Sequence, residues 1–399
     1  MAAEHPPRFV PARRMETIPP YFFHFLPQKL AAVRALGRDI IRLDAGSPDL
    51  PPAPHITAAL SRSAENPQHH GYQPYSGTPD YRAAWAAFYR RRFGVELDPE
   101  REVIALIGSK EGVFHLHLAL VNAGDVVLVP DPGYLAYTNG ARFAGGEVVY
   151  MPLLARRHHL PDLTALSEDV LRRTKIMWLN YPNNPTGATA PLEFFAEVVA
   201  LAERFNFVVA HDAPYTEITY GGYRAPSLLE APGARAVAVE FHSLSKTYNM
   251  GGWRAGAAVG NAEVLHALTS LIGNVDSGMF KGILDAGVAA LTGDQTWTVA
   301  RNAHYERRRD LAVAALRAAG LRLEVPAAAI YVWAQLPEGG RFGNDDVAFT
   351  EALLETTGVS LTPGSIFGPS GAGSVRVSLC LADDRLTEAM RRVAAFGVR

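Results

Sequence analysis

The sequence predicts an α/β protein: a large, mostly parallel sheet with helices on both faces, followed by a smaller α+β segment. Three observations carry this. From about residue 56 to 290, short apolar runs alternate with helix-length stretches. Those runs are apolar throughout, as strands covered on both faces must be. After residue 290 the alternation stops, and a long charged helix gives way to separate extended runs.

Taken in order, residues 1–52 read as an irregular, proline-rich arm, with a helical piece at Gln28–Leu36 and a short strand at Ile40–Leu43. In AGSPDLPPAP, Pro48, Pro51, Pro52 and Pro54 are expected to break regular structure. Helices are expected at Pro79–Phe93, Glu111–Val121, Leu192–Phe205 and Ala262–Leu271. Strands are expected at Asp125–Val129, Glu147–Met151, Lys175–Leu179, Phe207–Ala210, Ala236–Phe241 and Ala255–Val259. Such alternation implies parallel pairing. A long helix follows at Trp297–Ala319, whose run Glu306-Arg-Arg-Arg-Asp310 reads as a solvated face. Then come Leu321–Val325, Ala329–Gln335, a helix near Asp345–Thr356, Val359–Thr362, Ser374–Leu381 and a final helix. The expected division is a large domain over 53–290, with 1–52 and 291–399 forming the arm and small domain.

Composition narrows the function. The 399 residues are 48% hydrophobic and 20% charged, which is ordinary globular composition. A formal net charge of −2 argues against broad nucleic-acid binding. The single cysteine, Cys380, excludes an internal disulfide and any cysteine-based zinc site, and its run VRVSLCLA reads as core. No secretory leader and no membrane-length apolar stretch stands out, so a cytoplasmic location is expected. The pairs His69-His70 and His158-His159 read as surface residues. His115 and His117 lie two apart on a helix and do not face one another. No metal is expected.

The chemistry concentrates in FHSLSKTYNMGGWRAGAAVG, residues 241–260. Ser243, Ser245 and Lys246 sit at the end of an apolar run, with Arg254 eight residues after the lysine. Hydroxyls and a guanidinium hold a phosphate. A lysine amine condenses with an aldehyde. Pyridoxal phosphate is both a phosphate ester and an aldehyde.

Other polar clusters follow other apolar runs, where ligands gather in open parallel sheets. IMWL ends in NYPNNPTG with Asn184, and FVVA ends in HDAPY with Asp212 and Tyr215. An acid against a pyridine nitrogen keeps that ring protonated and electron-withdrawing; Asp212 fits. Asn184 and Tyr215 are donors suited to the cofactor's phenolic oxygen. Once displaced by substrate, Lys246 becomes a free amine suited to acid–base work. Gly108-Ser109-Lys110-Glu111-Gly112 opens a helix, where phosphates bind. Tyr134 could stack on the ring, and Arg376 in SVRVSL could clamp a carboxylate. Singly, each has an ordinary explanation as a cap, turn, packing or surface residue. Their co-occurrence in one order carries the reading.

GSKEG, DPGY, NNPTG, DAPY, SLSKTYNMGGWRAG and RVSL together resemble the class I/II aminotransferases of pyridoxal-phosphate fold type I, over nearly the whole chain. The resemblance implies that fold and a ping-pong exchange between an amino acid and a 2-oxo acid. Lys246 is then the Schiff-base lysine and Asp212 the partner of the pyridine nitrogen. Asn184 and Tyr215 contact the phenolic oxygen, and Tyr134 stacks on the ring. Ser109, Lys110, Ser243, Ser245 and Arg254 hold the phosphate. Arg376 clamps the substrate carboxylate, with Asn184 beside it and Gly46 closing by backbone. Tyr72 in GYQPYSG matches a tyrosine that reaches the neighbouring subunit's phosphate, which implies a homodimer with shared active sites. Asn274 and Ser277 are further candidates to reach the partner. GSKEGVFHLHLALVNAGDVVLVPDPGY, HDAPYTEITY and NVDSGMF are similar to the LL-diaminopimelate aminotransferase group, with 2-oxoglutarate as acceptor; the arm, PPYFFHFLPQKL, departs from its pattern. Aspartate, alanine or other amino-acid donors stay open. So does a fold type I C–S lyase or aminocyclopropane-carboxylate synthase. A DNA-binding regulator is not expected, because AGSPD begins at residue 45.

Overall fold

The computed structural model describes residues 9–16 and 22–398. The remaining parts of the expected arm lie outside the described residues. Twelve strands are present among the described residues. They are β1 (Ile41–Arg42), β2 (Val103–Leu106), β3 (Val126–Asp131), β4 (Glu147–Pro152), β5 (Thr174–Leu179) and β6 (Val208–Asp212). The others are β7 (Ala238–Ser243), β8 (Gly256–Gly260), β9 (Tyr331–Gln335), β10 (Val359–Ser360), β11 (Thr362–Pro363) and β12 (Ser374–Ser378).

Seven strands form one sheet in the order β2-β8-β7-β6-β5-β3-β4. The run from β7 to β4 is parallel, while β8 is antiparallel to both β7 and β2. The β7–β8 connection lacks the long helix that a parallel crossover uses. A parallel crossover takes a dozen or more residues, usually a helix. Between β7 and β8 stand only the one-turn helix Leu244–Thr247 and a 3-10 turn at Gly251–Trp253. The chain therefore turns back on itself there.

The apolar runs are continuous because both sheet faces are covered. Val126 and Leu128 pack into one core with Met177, Leu179 and Val209. Val127 and Val129 pack into another with Trp178, Ala210 and Phe241. A third core joins Ile41 and Leu43 to Tyr305, Val332, Leu353, Val375 and Leu386. Around it, β9, β12 and β11 form an antiparallel sheet, and β1 pairs in parallel with β10. Cys380 is buried there, and burial raises its thiol pKa.

Several expectations are corrected. Pro54 does not break structure; it is the first residue of the helix Pro54–Ala64. Proline suits that position because its missing N–H would have no partner there. The helices Leu135–Ala144 and Lys281–Thr292 were not anticipated, and Val103–Leu106 supplies an edge strand. Leu321–Val325 is not a strand, since only Arg322 bridges, to Gln335.

The arginine run is not a solvated face. Arg308 is 4% exposed and chelates both Asp49 carboxylate oxygens at 2.8 and 2.9 Å, with its Nε 2.7 Å from Asp383. Arg309 donates to the Pro326 carbonyl and lies over the Tyr220 ring. Only Arg307 of the three is exposed. His159 is also buried, its Nδ1 2.9 Å from the Leu153 carbonyl.

Breaking a buried ion pair on one side typically costs about 3 kcal/mol or more. Arg308→Ala is expected to lower stability by about that amount, whereas Arg307→Ala changes it by less than about 0.5 kcal/mol. Chemical unfolding of the two variants checks this. Equal effects would restore the solvated reading of the run.

Candidate active site

A cavity of about 390 Å³ opens where β5, β6 and β7 end, facing β12 and the segment after β1. Its walls include Ser109, Lys110, Tyr134, Asn184, Asp212 and Tyr215. They also include Ser243, Ser245, Lys246, Arg254, Arg376 and Gly46. Tyr72 is not among them. It is 93% exposed, on the loop before the helix Pro79–Phe93. Asn274 lies near the end of the helix Ala262–Val275, and Ser277 just beyond it.

The lysine is held at both ends. The Ser243 side chain caps the helix Leu244–Thr247 by accepting from the Ser245 N–H. Buried Arg301 grips the far end through the carbonyls of Lys246 and Thr247. Lys246 Nζ donates to the Gly46 carbonyl. This bond draws the segment after β1 over the cavity.

Asp212 ends β6 and is 5% exposed. Tyr137 Oη donates to its Oδ2 at 2.8 Å, while Oδ1 has no partner. Burial raises its pKa from 3.8 to about 6, against the opposing pull of Tyr137, His211 and Lys246. Tyr137 is itself fixed. It stacks on Trp178 at 4.9 Å and 14°, and the Trp178 indole donates to His117 Nε2 at 2.9 Å. His211 Nδ1 on β6 and the Glu240 carboxylate on β7, both fully buried, lie 2.6 Å apart.

The NNPTG turn is built from its own side chains. Asn183 Oδ1 accepts from the Thr186 N–H and hydroxyl. Asn180 Oδ1 accepts from the Asn184 N–H at 2.7 Å, and Asn180 Nδ2 donates to the Asp212 carbonyl at 2.6 Å. Asn184 Oδ1 then accepts from Arg376 Nη1 at 2.9 Å. That leaves the amide NH₂ of Asn184 as its donor toward a ligand.

At the other end, Ser109 and Lys110 begin the helix Ser109–Leu120, capped by Gly108 at φ 76°. A Cβ on Gly108 would fall 2.2 Å from an Arg254 nitrogen. Glycine there lets the guanidinium approach the helix start. Burial first, and then the Arg254 charge, lower the Lys110 pKa. The Ser245 hydroxyl has no partner among the described residues. Two cations, a helix N-terminus and a free hydroxyl form a site for a doubly charged anion.

Among the wall residues to which the sequence reading gave no role are Tyr137, Asn180 and Tyr331. Tyr137 stands one helical turn after Tyr134, and that spacing could have exposed it. Asn180 opens a cluster that was noticed, but its role comes from folding back on Asp212. Tyr331 sits in an apolar strand and carried no signal.

The raised Asp212 pKa has a consequence for stability. The unfolded value is about 4. Between about pH 4 and 6 the folded, ligand-free chain therefore binds the extra proton, and this stabilisation is lost as pH rises through about 6. Asp212→Asn removes it. Wild-type stability minus that of Asp212→Asn is expected to fall across this window. Urea midpoints at several pH values check it, and a flat difference would refute the assigned shift.

The family profile described as "Aminotransferase class I and II" matches residues 38–393. An LL-diaminopimelate aminotransferase from Syntrophobacter fumaroxidans is 48% identical over 385 residues, covering 96% of this chain and 98% of the relative. The substrate-bound BacF structure from Bacillus subtilis superposes with a TM-score of 0.93 at 37% identity, covering 98% of each chain. A Thermus thermophilus aspartate aminotransferase mutant gives 0.88 at 31%, covering 97% of this chain and 99% of the other. With a match across almost its whole length and a fold shared with solved aminotransferases, the chain belongs to the class I and II aminotransferases.

Proposed function

We propose that this aminotransferase uses pyridoxal phosphate to exchange amino groups between LL-diaminopimelate and 2-oxoglutarate by a ping-pong route. One observation carries the cofactor assignment. A single cavity gathers a lysine amine, an unpartnered carboxylate oxygen and an anion site of Lys110, Arg254 and Ser245. The donor identity rests on similarity to relatives that bear that name.

The residues fit the cofactor. Ser109, Lys110, Ser243, Ser245 and Arg254 would hold its phosphate. Asp212 would accept a hydrogen bond from the protonated ring nitrogen, Asn184 and Tyr215 would donate to the phenolic oxygen, and Tyr134 would cover the ring. Bound there, pyridoxal phosphate supplies an aldehyde that condenses with amines and a ring that withdraws electrons from the substrate's α-carbon. Arg376 binds the substrate carboxylate with the Gly46 backbone beside it, which orients the α-hydrogen. Lys246, freed when the substrate amine takes its place, would receive that proton at Nζ and return it on the far side of the amine nitrogen. The arm segment, drawn in by Lys246 and Gly46, excludes water during the transfer.

The active unit is a homodimer. Tyr72 is free to reach a neighbouring phosphate. Gly278, beside Ser277, packs so closely on the Gln73 carbonyl that a Cβ would fall 2.1 Å from it. Tyr72 and the Asn274–Ser277 segment thus share one surface, with exposed Tyr75 and Phe280 nearby. Residues 53–290 act as the cofactor domain, and 1–52 with 291–399 as the small domain. The core built on Ile41, Leu43, Tyr305, Val332 and Leu386 supports that division, and Tyr215, Ile218 and Tyr220 of the larger range join it.

Lys246→Ala is expected to abolish the visible absorbance of the lysine-bound cofactor and to cut kcat by at least about 10²-fold. A retained band would remove the assignment. Arg376→Ala should raise KM for the amino donor by about 100-fold, through loss of charged hydrogen bonds, while cofactor affinity changes little. In a donor panel with 2-oxoglutarate, LL-diaminopimelate should give glutamate fastest. Faster turnover of aspartate or alanine would reassign the substrate. Release of pyruvate and ammonia, without formation of the aminated cofactor, would point to a lyase.

A further inference from the structure

We propose that Tyr331 is a positioning residue that strengthens Tyr215 as a hydrogen-bond donor into the cavity. The inference rests on the assignment of Tyr215 to the phenolic oxygen of the cofactor.

Tyr331 lies on β9, 3% exposed, and lines the same cavity. Its hydroxyl is 3.1 Å from the Tyr215 hydroxyl, the only hydrogen-bond partner it has among the described residues. The two rings meet edge to face at 5.7 Å and 75°. Nothing about this pair is loose. The Arg376 guanidinium sits 4.3 Å from the centre of the Tyr331 ring. On its other side a Cβ on residue 46 would fall 1.9 Å from the Tyr331 hydroxyl. Gly46 therefore leaves room for that hydroxyl, and its carbonyl accepts from Lys246. Tyr331 thus touches the carboxylate clamp, the closing segment and the Tyr215 phenol at once.

The direction of the bond follows from the company it keeps. If Tyr215 donates into the cavity, its oxygen is left to accept, and Tyr331 must supply the proton. A hydroxyl that accepts one hydrogen bond donates the next more strongly. Burial raises the Tyr215 pKa, so it keeps its proton and stays a donor. The charged groups facing the pair are Arg376 on β12, Asp212 at the end of β6 and Lys246 on its short helix. A stronger Tyr215 donor stabilises negative charge on the phenolic oxygen. The proton shared between that oxygen and the Lys246 nitrogen is then released more readily.

The test is a pH titration of the visible absorbance of the holoenzyme. Tyr331→Phe keeps the ring against Arg376 and removes only the hydroxyl. The midpoint is expected to rise by roughly half a pH unit, about threefold in proton affinity, for loss of part of one hydrogen bond. Tyr215→Phe should raise it further. In the Tyr215→Phe background, Tyr331→Phe should add nothing. An unmoved midpoint in Tyr331→Phe, alongside a shift in Tyr215→Phe, overturns the inference and leaves the cofactor assignment standing. The same holds for a Tyr331→Phe shift that persists without the Tyr215 hydroxyl, or for a change in KM alone. A midpoint unmoved by Tyr215→Phe overturns both.

Discussion

Arg376 places a permanent positive charge, 4% exposed, where the sheet meets the third core. No carboxylate hydrogen-bonds it among the described residues. Its partners are the Asn184 amide oxygen, the Asp44 carbonyl at 2.7 Å and the Thr362 hydroxyl at 3.4 Å. A buried charge costs several kcal/mol unless such partners are fixed. Each of them is. Asn180 holds the Asn184 turn, and the Asp44 carboxylate is taken by Arg42. The Thr362 hydroxyl also donates to the Asp44 carbonyl. Satisfying one guanidinium thus brings the ends of β1, β5, β11 and β12 to a single point, and the cavity is the space they enclose. What remains unmet among the described residues is a partner for the buried Nε–H and a counter-charge, both of which the proposed substrate carboxylate would supply.

The same logic runs through the other walls. Lys110 and Arg254 stand together near a helix N-terminus, and burial first, then the Arg254 charge, lowers the lysine pKa. Asp212 is raised by burial, with one oxygen unpartnered. Both arrangements are unfavourable in themselves. Both are relieved by one ligand that is anionic at one end and carries a ring N–H at the other. Local stability is held below what the fold could reach, as is usual where side chains are poised for chemistry.

Much of this was legible in the sequence, for physical reasons that also mark where it stopped. Lys246, Asp212 and Asn184 directly follow or end buried strands, and a sheet covered on both faces writes its strands as continuous apolar runs. The twelve wall residues on those motifs could therefore be named before any geometry was known. Tyr137 and Tyr331 could not. One reaches Asp212 from a helix, and the other arrives through the pairing of β9 with β12, which fixes Tyr331 opposite Ser378. Arg308 misled because a charge run on a helix looks solvated until its partners are known, and Asp49 lies 259 residues away. Pro54 misled for the opposite reason: proline both ends helices and starts them.

The central claim is that this cavity holds pyridoxal phosphate between Asp212 and the Lys110–Arg254 pair, with Arg376 kept for a carboxylate. A crystal structure grown with the cofactor and an unreactive dicarboxylate tests it most directly. The account predicts phosphate density against Ser109, Ser245 and Arg254, a ring nitrogen on Asp212 and a carboxylate on the Arg376 guanidinium. A carboxylate bound elsewhere, with Arg376 still held by Asn184 and Asp44 alone, would contradict it.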